Sequence, residues 1–392
     1  MQEVTSKNDA TRRTRPSSTA TRRRPRKRIK RKGQIDYSLL VIVVFMLAFG
    51  LIMVYSASSY NATLLTGDSL YYLKKQALSC LIGIVAIIVI CRVGYKFLKK
   101  FAWIIYFIAL AACAYVIFFG TSLNNSSRWI FIGPISFQPS ELGKVALIIL
   151  LAYVIAKNPA RMRNAKDLIV TAFVIVGPMF VLVAVNNLST AIIILLIGGI
   201  MLFIASPKTW PFVGVGLLGI GGIVIFIATA GYRAQRINAW LDPEHNDAYQ
   251  TMQALYAIGS GGLFGKGLGA SVQKQGFVPE AQNDMVFSII CEELGLFGAI
   301  CVIAMFVVLI WRLVLIAMRA KDMFGSFLVI GIATHISLQV ILNVAVVTNT
   351  IPNTGVTLPF ISYGGTSLAI LLAEIGIALA VSKGVDVDEE EE

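Results

Sequence analysis

Ten long apolar runs, separated by shorter polar segments, dominate the pattern of hydrophobic and polar positions along the chain. A helix needs about 20 predominantly apolar residues to cross the hydrocarbon core of a bilayer. Each run is therefore predicted to form one transmembrane helix, which makes the predicted fold an all-α polytopic membrane protein. The ten predicted helices cover residues 36–56, 77–95, 101–120, 141–157, 167–185, 188–205, 211–230, 286–315, 326–348 and 364–382.

Composition supports this fold class and narrows the chemistry. The chain is 57% hydrophobic and only 14% charged, with a mean hydropathy of +0.76, which excludes an ordinary soluble domain. The 5 cysteines lie in or beside apolar runs and show no CxxC spacing, so they predict no disulfide framework or metal site. His245 and His335 each lack the second histidine of a helical zinc site, which disfavours metal-dependent hydrolysis.

Basic residues predict the orientation, because Lys and Arg accumulate in cytoplasmic loops. They cluster in the N-terminal arm and between predicted helices two and three, four and five, and eight and nine. Both termini are therefore predicted to be cytoplasmic, with a large extracytoplasmic loop, residues 231–285, between helices seven and eight. The predicted domains are a basic disordered arm (1–34), the ten-helix domain (35–383) and an acidic cytoplasmic tail (384–392).

The basic arm precedes a full-length apolar run. A cluster of this kind more often holds the N-terminus inside and contacts anionic lipid than binds nucleic acid. The length of the charged region and of the following apolar run argues against a cleavable signal peptide. We therefore expect membrane lipids, and no nucleic acid, as partners of the arm.

Three segments predicted to lie outside carry the polarity that the apolar runs lack: residues 121–140, 231–285 and 349–363. Within the second, helical spacing of Tyr249, Met252, Leu255, Tyr256 and Ile258 predicts an amphipathic helix over residues 247–258 at the membrane interface. The glycine-rich stretch 259–271 that follows is not a Walker A motif, because the required residues are replaced. It is either an anion-binding backbone with Lys266 and Lys274 beside it, or a flexible turn.

Acidic residues at the start of the eighth predicted helix need a partner, because lipid does not tolerate unpaired carboxylates. Asp284 stands at the threshold of the helix, where it is either an N-cap or a general base. Glu292 and Glu293 lie inside the apolar run, where they either pair with outer arginines such as Arg233 or Arg236, or face a cavity.

Glu141 and Lys144 form a second charged feature, at the start of the fourth predicted helix. Their spacing places both on one face, so they can pair. A lysine near a helix end can extend to the interface, so a structural ion pair and a functional pair remain equal alternatives.

Together, NNSSRWIFIGPISFQPSELGK, GLFGKGLGASVQKQGFVPEAQNDMVFSIICEELG and LPFISYGGTS closely resemble motifs of the SEDS family of bacterial cell-wall polymerases, the FtsW, RodA and SpoVE type. The resemblance extends from Asp36 to Ser382. It implies a ten-helix fold with both ends cytoplasmic. It also implies an inverting peptidoglycan glycosyltransferase that joins lipid II, a disaccharide-pentapeptide on undecaprenyl diphosphate, into glycan strands outside the membrane.

The resemblance assigns roles to single residues. Asp284 matches the catalytic aspartate of the family's PExxxD motif, and Glu141 with Lys144 match its PSExxK pair. Asn187 stands where many members carry an acidic residue, which leaves that role without a carboxylate here. The predicted substrate-binding residues, which include outer cations and neighbouring motif positions, are Arg128, Glu141, Lys144, Arg233, Arg236, Lys266, Lys274, Glu280, Ser362 and Ser367.

The resemblance also implies partners and a location. These are lipid II and the nascent glycan strand, a class B penicillin-binding protein that acts as transpeptidase, and other division proteins, at the septum of the bacterial cytoplasmic membrane. The long basic arm and the PEAQND form of the motif resemble the division or sporulation type more than the elongation type. No cofactor follows with certainty, and a divalent cation is a candidate.

Two rival functions remain open. A lipid II transporter would explain polar residues at membrane depth, such as Asn186, Asn187 and Asn343 beside Glu292 and Glu293, but it should distribute polarity through both leaflets. Because the unusual polar residues crowd toward the outer side, surface chemistry is favoured. A non-catalytic division scaffold would suit the basic arm but leaves the outer carboxylates unexplained.

Overall fold

The computed structural model describes residues 34–123, 126–132, 135–214, 216, 240–242 and 248–384. Apolar sequence forms helices through almost all of these ranges. The helices are α1 (Tyr37–Thr66), α2 (Tyr71–Val93), α3 (Lys96–Phe119), α4 (Pro139–Lys157), α5 (Ala165–Thr171), α6 (Gly177–Asn186), α7 (Leu188–Ala205), α8 (Tyr249–Gly261), α9 (Val286–Arg319), α10 (Met323–Val347) and α11 (Thr366–Ser382).

Within the described ranges, 8 helices are long and apolar enough to cross a membrane. They correspond to nine of the ten predicted spans once α11, an apolar helix of 17 residues, is added. The remaining predicted span, 211–230, lies mostly outside the described residues. The predicted mostly helical membrane fold is thus confirmed, while the count of ten stays a prediction.

The fifth predicted span is one apolar segment with an interruption. A π-helical turn, Ala172–Val176, joins α5 to α6, and Pro178 lies in the first turn of α6. Proline has no N–H to donate, so one backbone carbonyl in the preceding turn loses its helical partner. In the same turn, the hydroxyl of Tyr106 on α3 donates to the carbonyl of Ile175 at 2.5 Å.

Three short strands depart from the all-α prediction. They are β1 (Thr121–Leu123), β2 (Ser126–Ile132) and β3 (Ile135–Phe137), which pair antiparallel in the order β1-β2-β3. The sequence of β2, SSRWIFI, is rich in aromatic and β-branched residues, which favour extended backbone. This small sheet forms the connection between α3 and α4.

Helix α9 is broken inside its apolar run. Gly295 has φ 68° and ψ −168°, which no α-helix contains. The break frees backbone groups that hydrocarbon cannot satisfy. The glycine-rich segment supplies the partners: the amides of Lys266 and Gly267 donate to the carbonyls of Glu292 and Glu293, both at 2.9 Å.

The backbone of α9 also donates hydrogen bonds to the glycine-rich segment. The amides of Leu296 and Phe297 donate to the carbonyls of Gly262 and Leu263, at 3.0 and 3.1 Å. The two backbones approach so closely that a methyl group at Gly265 would lie 2.2 Å from the carbonyl oxygen of Glu293. The glycine-rich stretch is therefore docked on α9, which argues against a flexible turn, and the amides of Lys266 and Gly267 are already bonded and cannot also bind an anion.

Helix α8 packs on α9 through small residues. The predicted helix 247–258 is confirmed, with bounds Tyr249–Gly261, but its buried face consists of Ala254, Ala257 and Gly261. A methyl group at Gly261 would lie 2.0 Å from the carbonyl oxygen of Cys291, so only glycine permits this contact. The large side chains of Tyr249 and Tyr256 remain exposed.

We predict that Gly265→Ala destabilises the protein by about 2 kcal/mol or more. The new methyl group would collide with the backbone of α9, and the positive φ of 78° is strained for alanine. Thermal unfolding in detergent measures the effect. Gly259→Ala is the matched control, because a methyl group there meets nothing within 4 Å. Equal melting temperatures for both variants would contradict the docking contact.

Candidate active site

Asp284 lies at the end of the 262–285 segment with 9% of its surface exposed. The capping position of α9 is Met285, and no side-chain cap bond is made there, so the N-cap alternative for Asp284 is not supported. The side chain of Gln250, on α8, donates from Nε2 to Asp284 Oδ1 at 3.4 Å. On the other side, a methyl group at Gly355 would be 3.9 Å from Oδ2. The carboxylate thus lies between α8 and the 349–365 segment.

A hydrogen-bonded chain fixes these neighbours. Asn353 Nδ2 donates to Gln250 Oε1 at 3.0 Å, and the amide of Gly355 donates to Asn353 Oδ1 at 3.0 Å. Asn343, fully buried on α10, donates from Nδ2 to the carbonyls of Asp284 and Val356, both at 2.8 Å. Asn343 therefore joins the start of α9 to the 349–365 segment and sets the position of Asp284.

The turn before Asp284 contains Glu280, which has a positive φ of 52°. The amide of Asn283 donates to the carbonyl of Glu280 at 2.8 Å, and Asn283 Nδ2 also bonds to its carboxylate. Val278 and Ala281 are fully buried and anchor the turn. Glu280 itself is exposed, beside the candidate catalytic residue.

The 358–367 segment forms a compact turn, in which Ser362 and Ser367 hold different positions. Buried Ser362 accepts the amide of Leu358 on its Oγ at 2.8 Å, so its side chain holds the turn. Gln76 of α2 donates to the Ser362 carbonyl at 3.0 Å and accepts the amide of Gly364 at 3.3 Å. Ser367 stands half-buried in the first turn of α11.

Tyr363 connects this turn to the loop that carries Asp284. Its amide donates to the carbonyl of Gln282 at 2.8 Å, and its ring makes an edge contact with Tyr72. Burial, with the neighbouring hydroxyls of Tyr71 and Tyr72, raises the pKa of Tyr363 to about 12. The phenol therefore stays protonated at neutral pH and is able to donate a hydrogen bond.

Glu141 and Lys144 form a buried ion pair in the first turns of α4. Lys144 Nζ lies 2.8 Å from Glu141 Oε1, and the side chains are 1% and 7% exposed. This burial argues against the alternative in which Lys144 extends to the interface, while the choice between a structural and a functional buried pair stays open. Gln138 occupies the N-cap position of α4 without a side-chain cap bond, and Pro139 is the first residue of the helix. No ordinary surface bridge has this burial.

The depth of this pair follows from helix packing. Ile148 of α4 contacts Gly331 of the antiparallel α10. At about 1.5 Å rise per residue, Glu141 lies about 10 Å beyond that contact and Asn343 about 18 Å beyond it. The ion pair thus lies about 8 Å deeper in the bundle than the backbone bond that holds Asp284.

Buried oxygen atoms of four polar residues, two of them beside Asp284, have no hydrogen-bond partner among the described residues. Because each is an acceptor, the partner they lack is a donor such as a hydroxyl or water. A sugar, which carries several hydroxyls, fits this demand better than an apolar ligand does. The atoms are Glu141 Oε2, Gln282 Oε1, Gln339 Oε1 and Asn343 Oδ1.

Glu293 and Lys274 form a second buried ion pair, away from Asp284. Lys274 Nζ lies 2.8 Å from Glu293 Oε1, 2.9 Å from Ser56 Oγ of α1 and 2.8 Å from the carbonyl of Gly269. An ammonium group has three donors, and all three have an acceptor here. This geometry favours a structural role for Lys274 over the predicted contact with substrate.

Glu292 is held in the same manner. Its carboxylate accepts from Lys266 Nζ at 2.7 Å, from the amide of Val272 at 3.1 Å and from the hydroxyl of Ser271. Two lysines of the loop therefore pair with the two glutamates, and neither carboxylate is exposed. The arginines proposed as partners, Arg233 and Arg236, lie outside the described residues. Lys266 keeps 34% of its side chain exposed and bonds to two acceptors, Glu292 and Ser260.

The remaining predicted residues are placed less fully. Arg233, Arg236 and His245 lie outside the described residues, as does the side chain of Arg128 in β2. Asn187 caps α7, where its Oδ1 accepts the amide of Thr190 at 3.2 Å. Among the described residues, no group of three or more His, Cys, Asp or Glu side chains forms a metal site.

Sequence reasoning missed Glu374, which pairs with His335. His335 Nδ1 lies 3.0 Å from both carboxylate oxygens, and both residues are fully buried near the middle of α10 and α11. The signal was present, since Glu374 is an acidic residue inside an apolar run. Polar side chains thus reach the middle of the bundle, and the expectation that they crowd toward one side is wrong.

The fold and the site define a class: a polytopic membrane protein with a confined carboxylate where α8, the 262–285 segment and the 349–365 segment meet. The family whose description is "Cell cycle protein", the FtsW/RodA/SpoVE family, matches residues 37–386. The chain belongs to this family.

Relatives of known name cover nearly the same length. Stage V sporulation protein E of Bacillus subtilis is 38% identical over 359 residues, which is 90% of this chain and 98% of the relative. A protein of Geobacter sp. (strain M18), named probable peptidoglycan glycosyltransferase FtsW, is 38% identical over 360 residues, with the same coverage of 90% and 98%.

Solved structures share the fold. A chain from a peptidoglycan synthase complex, described as coordinating polymerization and crosslinking, has a TM-score of 0.76 at 24% identity and covers 90% of this chain and 99% of its own. The rod shape determining protein RodA of Thermus thermophilus has a TM-score of 0.68 at 24% identity, with coverage of 90% and 98%.

Proposed function

We propose that this protein is a peptidoglycan glycosyltransferase that joins lipid II into glycan strands at the outer face of the bacterial cytoplasmic membrane. One observation carries the proposal. Asp284 is confined between α8, α9 and the 349–365 segment, and two neighbouring buried oxygens, Gln282 Oε1 and Asn343 Oδ1, have no donor among the described residues. The named relatives, at 38% identity over nine-tenths of the chain, support the same activity.

Asp284 is proposed to act as the general base. Its carboxylate takes the proton from the acceptor sugar hydroxyl, and the oxygen attacks the anomeric carbon of the donor. The bond from that carbon to the diphosphate oxygen breaks, and undecaprenyl diphosphate leaves with the bonding electrons. Attack opposite the leaving group inverts the anomeric configuration.

Positive charge near the departing diphosphate stabilises the transition state. Lys144 is the strongest candidate, because its ammonium is buried and pairs, among the described residues, with Glu141 alone, which leaves donors for phosphate oxygens. Glu141 would orient that ammonium. Arg128, Arg233, Arg236 and Lys266 remain proposed contacts for the sugar or diphosphate, with Glu280, Ser362 and Ser367 at the rim.

The biological setting is proposed on the same basis. We place the enzyme at the division septum, beside a class B penicillin-binding transpeptidase and other division proteins. The structural neighbour described as a peptidoglycan synthase complex supports the transpeptidase partner. Asp284 would hold a divalent cation, which would supply positive charge to the departing diphosphate, because Mg²⁺ commonly binds one or two carboxylates plus substrate phosphates.

The proposed topology has ten spans, both termini in the cytoplasm and residues 231–285 outside. In a variant lacking the natural cysteines, a cysteine at exposed Gln275 should react with a membrane-impermeant thiol reagent in intact spheroplasts. A cysteine at Lys166, in a predicted inner loop, should react only after lysis. The reverse pattern would contradict the orientation.

We predict that Asp284→Asn lowers glycan polymerisation by the purified protein by a factor of about 100 or more, because loss of a general base typically has that effect. Polymer formed from labelled lipid II is the measurement, with thermal unfolding to show that the variant is folded. Asp68→Asn is the control. Asp68 is a carboxylate with 42% of its side chain exposed, and it pairs with Lys74 at 2.7 Å. Near-normal polymer from Asp284→Asn would exclude the catalytic assignment.

The same assay separates the rival functions. Buried His335 and Glu374 in the middle of the bundle are the observation that favours a lipid II transporter. A transporter or a scaffold alone would form no polymer, whereas polymer from the purified wild-type protein without other enzymes requires a glycosyltransferase. Movement of labelled lipid II across vesicles without polymerisation would favour transport.

The Glu141 and Lys144 pair is tested by removing one or both charges. Lys144→Met alone leaves a buried carboxylate unpaired and is expected to destabilise the protein by about 3–5 kcal/mol. Glu141→Gln with Lys144→Met removes both charges and should recover much of that stability. If Lys144 binds the diphosphate, the stable double variant should still lose turnover by about a hundredfold.

The exchange Glu141→Lys with Lys144→Glu is the second arm. It keeps an ion pair but moves the positive charge by nearly one helical turn, so the catalytic role predicts an inactive protein. Activity of the neutral double variant near the wild-type level would show that the pair is structural.

A further inference from the structure

A cleft of about 250 Å³ lies far from Asp284, between α3, the C-terminal end of α4 and the segment from α5 into the π-helical turn. Two kinds of side chain line it. Lys157 and Arg161, at and just after the C-terminal end of α4, form its polar end. Val170 and Ile175, from the fifth span, form its apolar end, and Trp103 and Tyr153 also line it. The cleft is therefore amphiphilic, which distinguishes it from the apolar grooves elsewhere on the bundle.

The polar end carries a net positive charge. Lys157 and Arg161 are both exposed, and Lys157 Nζ lies 5.5 Å above the ring of Tyr153. The nearby carboxylate of Asp167 does not line the cleft and accepts a hydrogen bond from Asn164 Nδ2 at 3.2 Å. The C-terminal end of α4 contributes about half a negative charge, which two full positive charges outweigh.

The apolar end faces the bilayer. Val170 and Val174 are about half exposed on the lipid-facing side of the fifth span, while Ile175 is buried and forms the floor. Trp103 lies near the start of α3, where basic Lys99 and Lys100 mark the boundary with water. Tryptophan and tyrosine prefer this boundary, because their rings are apolar and their polar atoms reach water.

We propose that this cleft binds one anionic glycerophospholipid. Its phosphate lies between Lys157 and Arg161, and one acyl chain runs along Val170 and Val174. Charge complementarity identifies the head group, since basic clefts between membrane helices suit anionic lipids. Continuity with the lipid-facing side of the span identifies the tail. On the predicted topology the site faces the cytoplasmic leaflet, opposite the proposed catalytic side.

The test uses the full-length protein in detergent and native mass spectrometry with phosphatidylglycerol or phosphatidylcholine as the probe. Each basic side chain near an anionic head group contributes about fivefold in affinity, so Lys157→Gln with Arg161→Gln should weaken phosphatidylglycerol binding about 30-fold. Val170→Trp, which fills the cleft and keeps both charges, should weaken it as well.

The matched control is Arg163→Gln with Lys166→Gln. It removes the same charge from exposed basic residues that do not line the cleft, and it should change affinity less than about threefold. Equal losses in the two double variants would overturn the proposal, because binding would then reflect only general surface charge. Equal affinity for phosphatidylcholine would overturn it as well.

A third arm distinguishes a lipid from a soluble phosphate. Glycerol 3-phosphate should fail to displace phosphatidylglycerol at concentrations at which the intact lipid competes. Displacement at similar concentrations would show that the acyl chain contributes nothing, which would overturn the commitment to a lipid.

Discussion

The backbone hydrogen bonds between the 262–267 segment and α9, on either side of the break at Gly295, are the constraint on which the outer half of the structure depends. A break in a membrane helix exposes carbonyl and amide groups that hydrocarbon cannot satisfy. Four hydrogen bonds from the 262–267 segment satisfy them, and the close approach requires glycine on both sides. Because the loop is bound to α9 at this point, the chain that leads onward to Asp284 starts from a fixed place.

The two loop lysines complete the attachment. Glu292 and Glu293 lie within one turn of the break at Gly295. Glu292 pairs with Lys266 and Glu293 pairs with Lys274, both on the loop that is hydrogen-bonded to α9 there. Partner removal is costly for such buried pairs, since the charge left behind is unsolvated. Charge that the sequence places near a substrate therefore serves, in part, to hold the scaffold. The pair of Lys144 with Glu141 differs from these two pairs, because Glu141 Oε2 has no donor among the described residues.

Helix α10 extends from the middle of the helix bundle to the candidate active site at Asp284. His335, Gln339 and Asn343 recur every four residues and so share one face of the helix. The first pairs with Glu374, and the last holds the backbone of Asp284. Polar side chains at this depth are expensive, so their retention favours a specific arrangement over general stability. Through Asn343, this face of α10 fixes the backbone position of Asp284.

The sequence by itself determined the membrane class and most helix positions, because apolar length is a local property that the bilayer reads directly. It also singled out Asp284, Glu141 and Lys144 through motifs. Tertiary structure alone decided which partner each charge takes, how deeply Lys144 is buried and where the amides of the glycine-rich loop are bonded. Those outcomes depend on contacts between separate segments of the chain, such as the pairs of Lys266 with Glu292 and of Lys274 with Glu293. Spacing along one helix carries no information about such contacts.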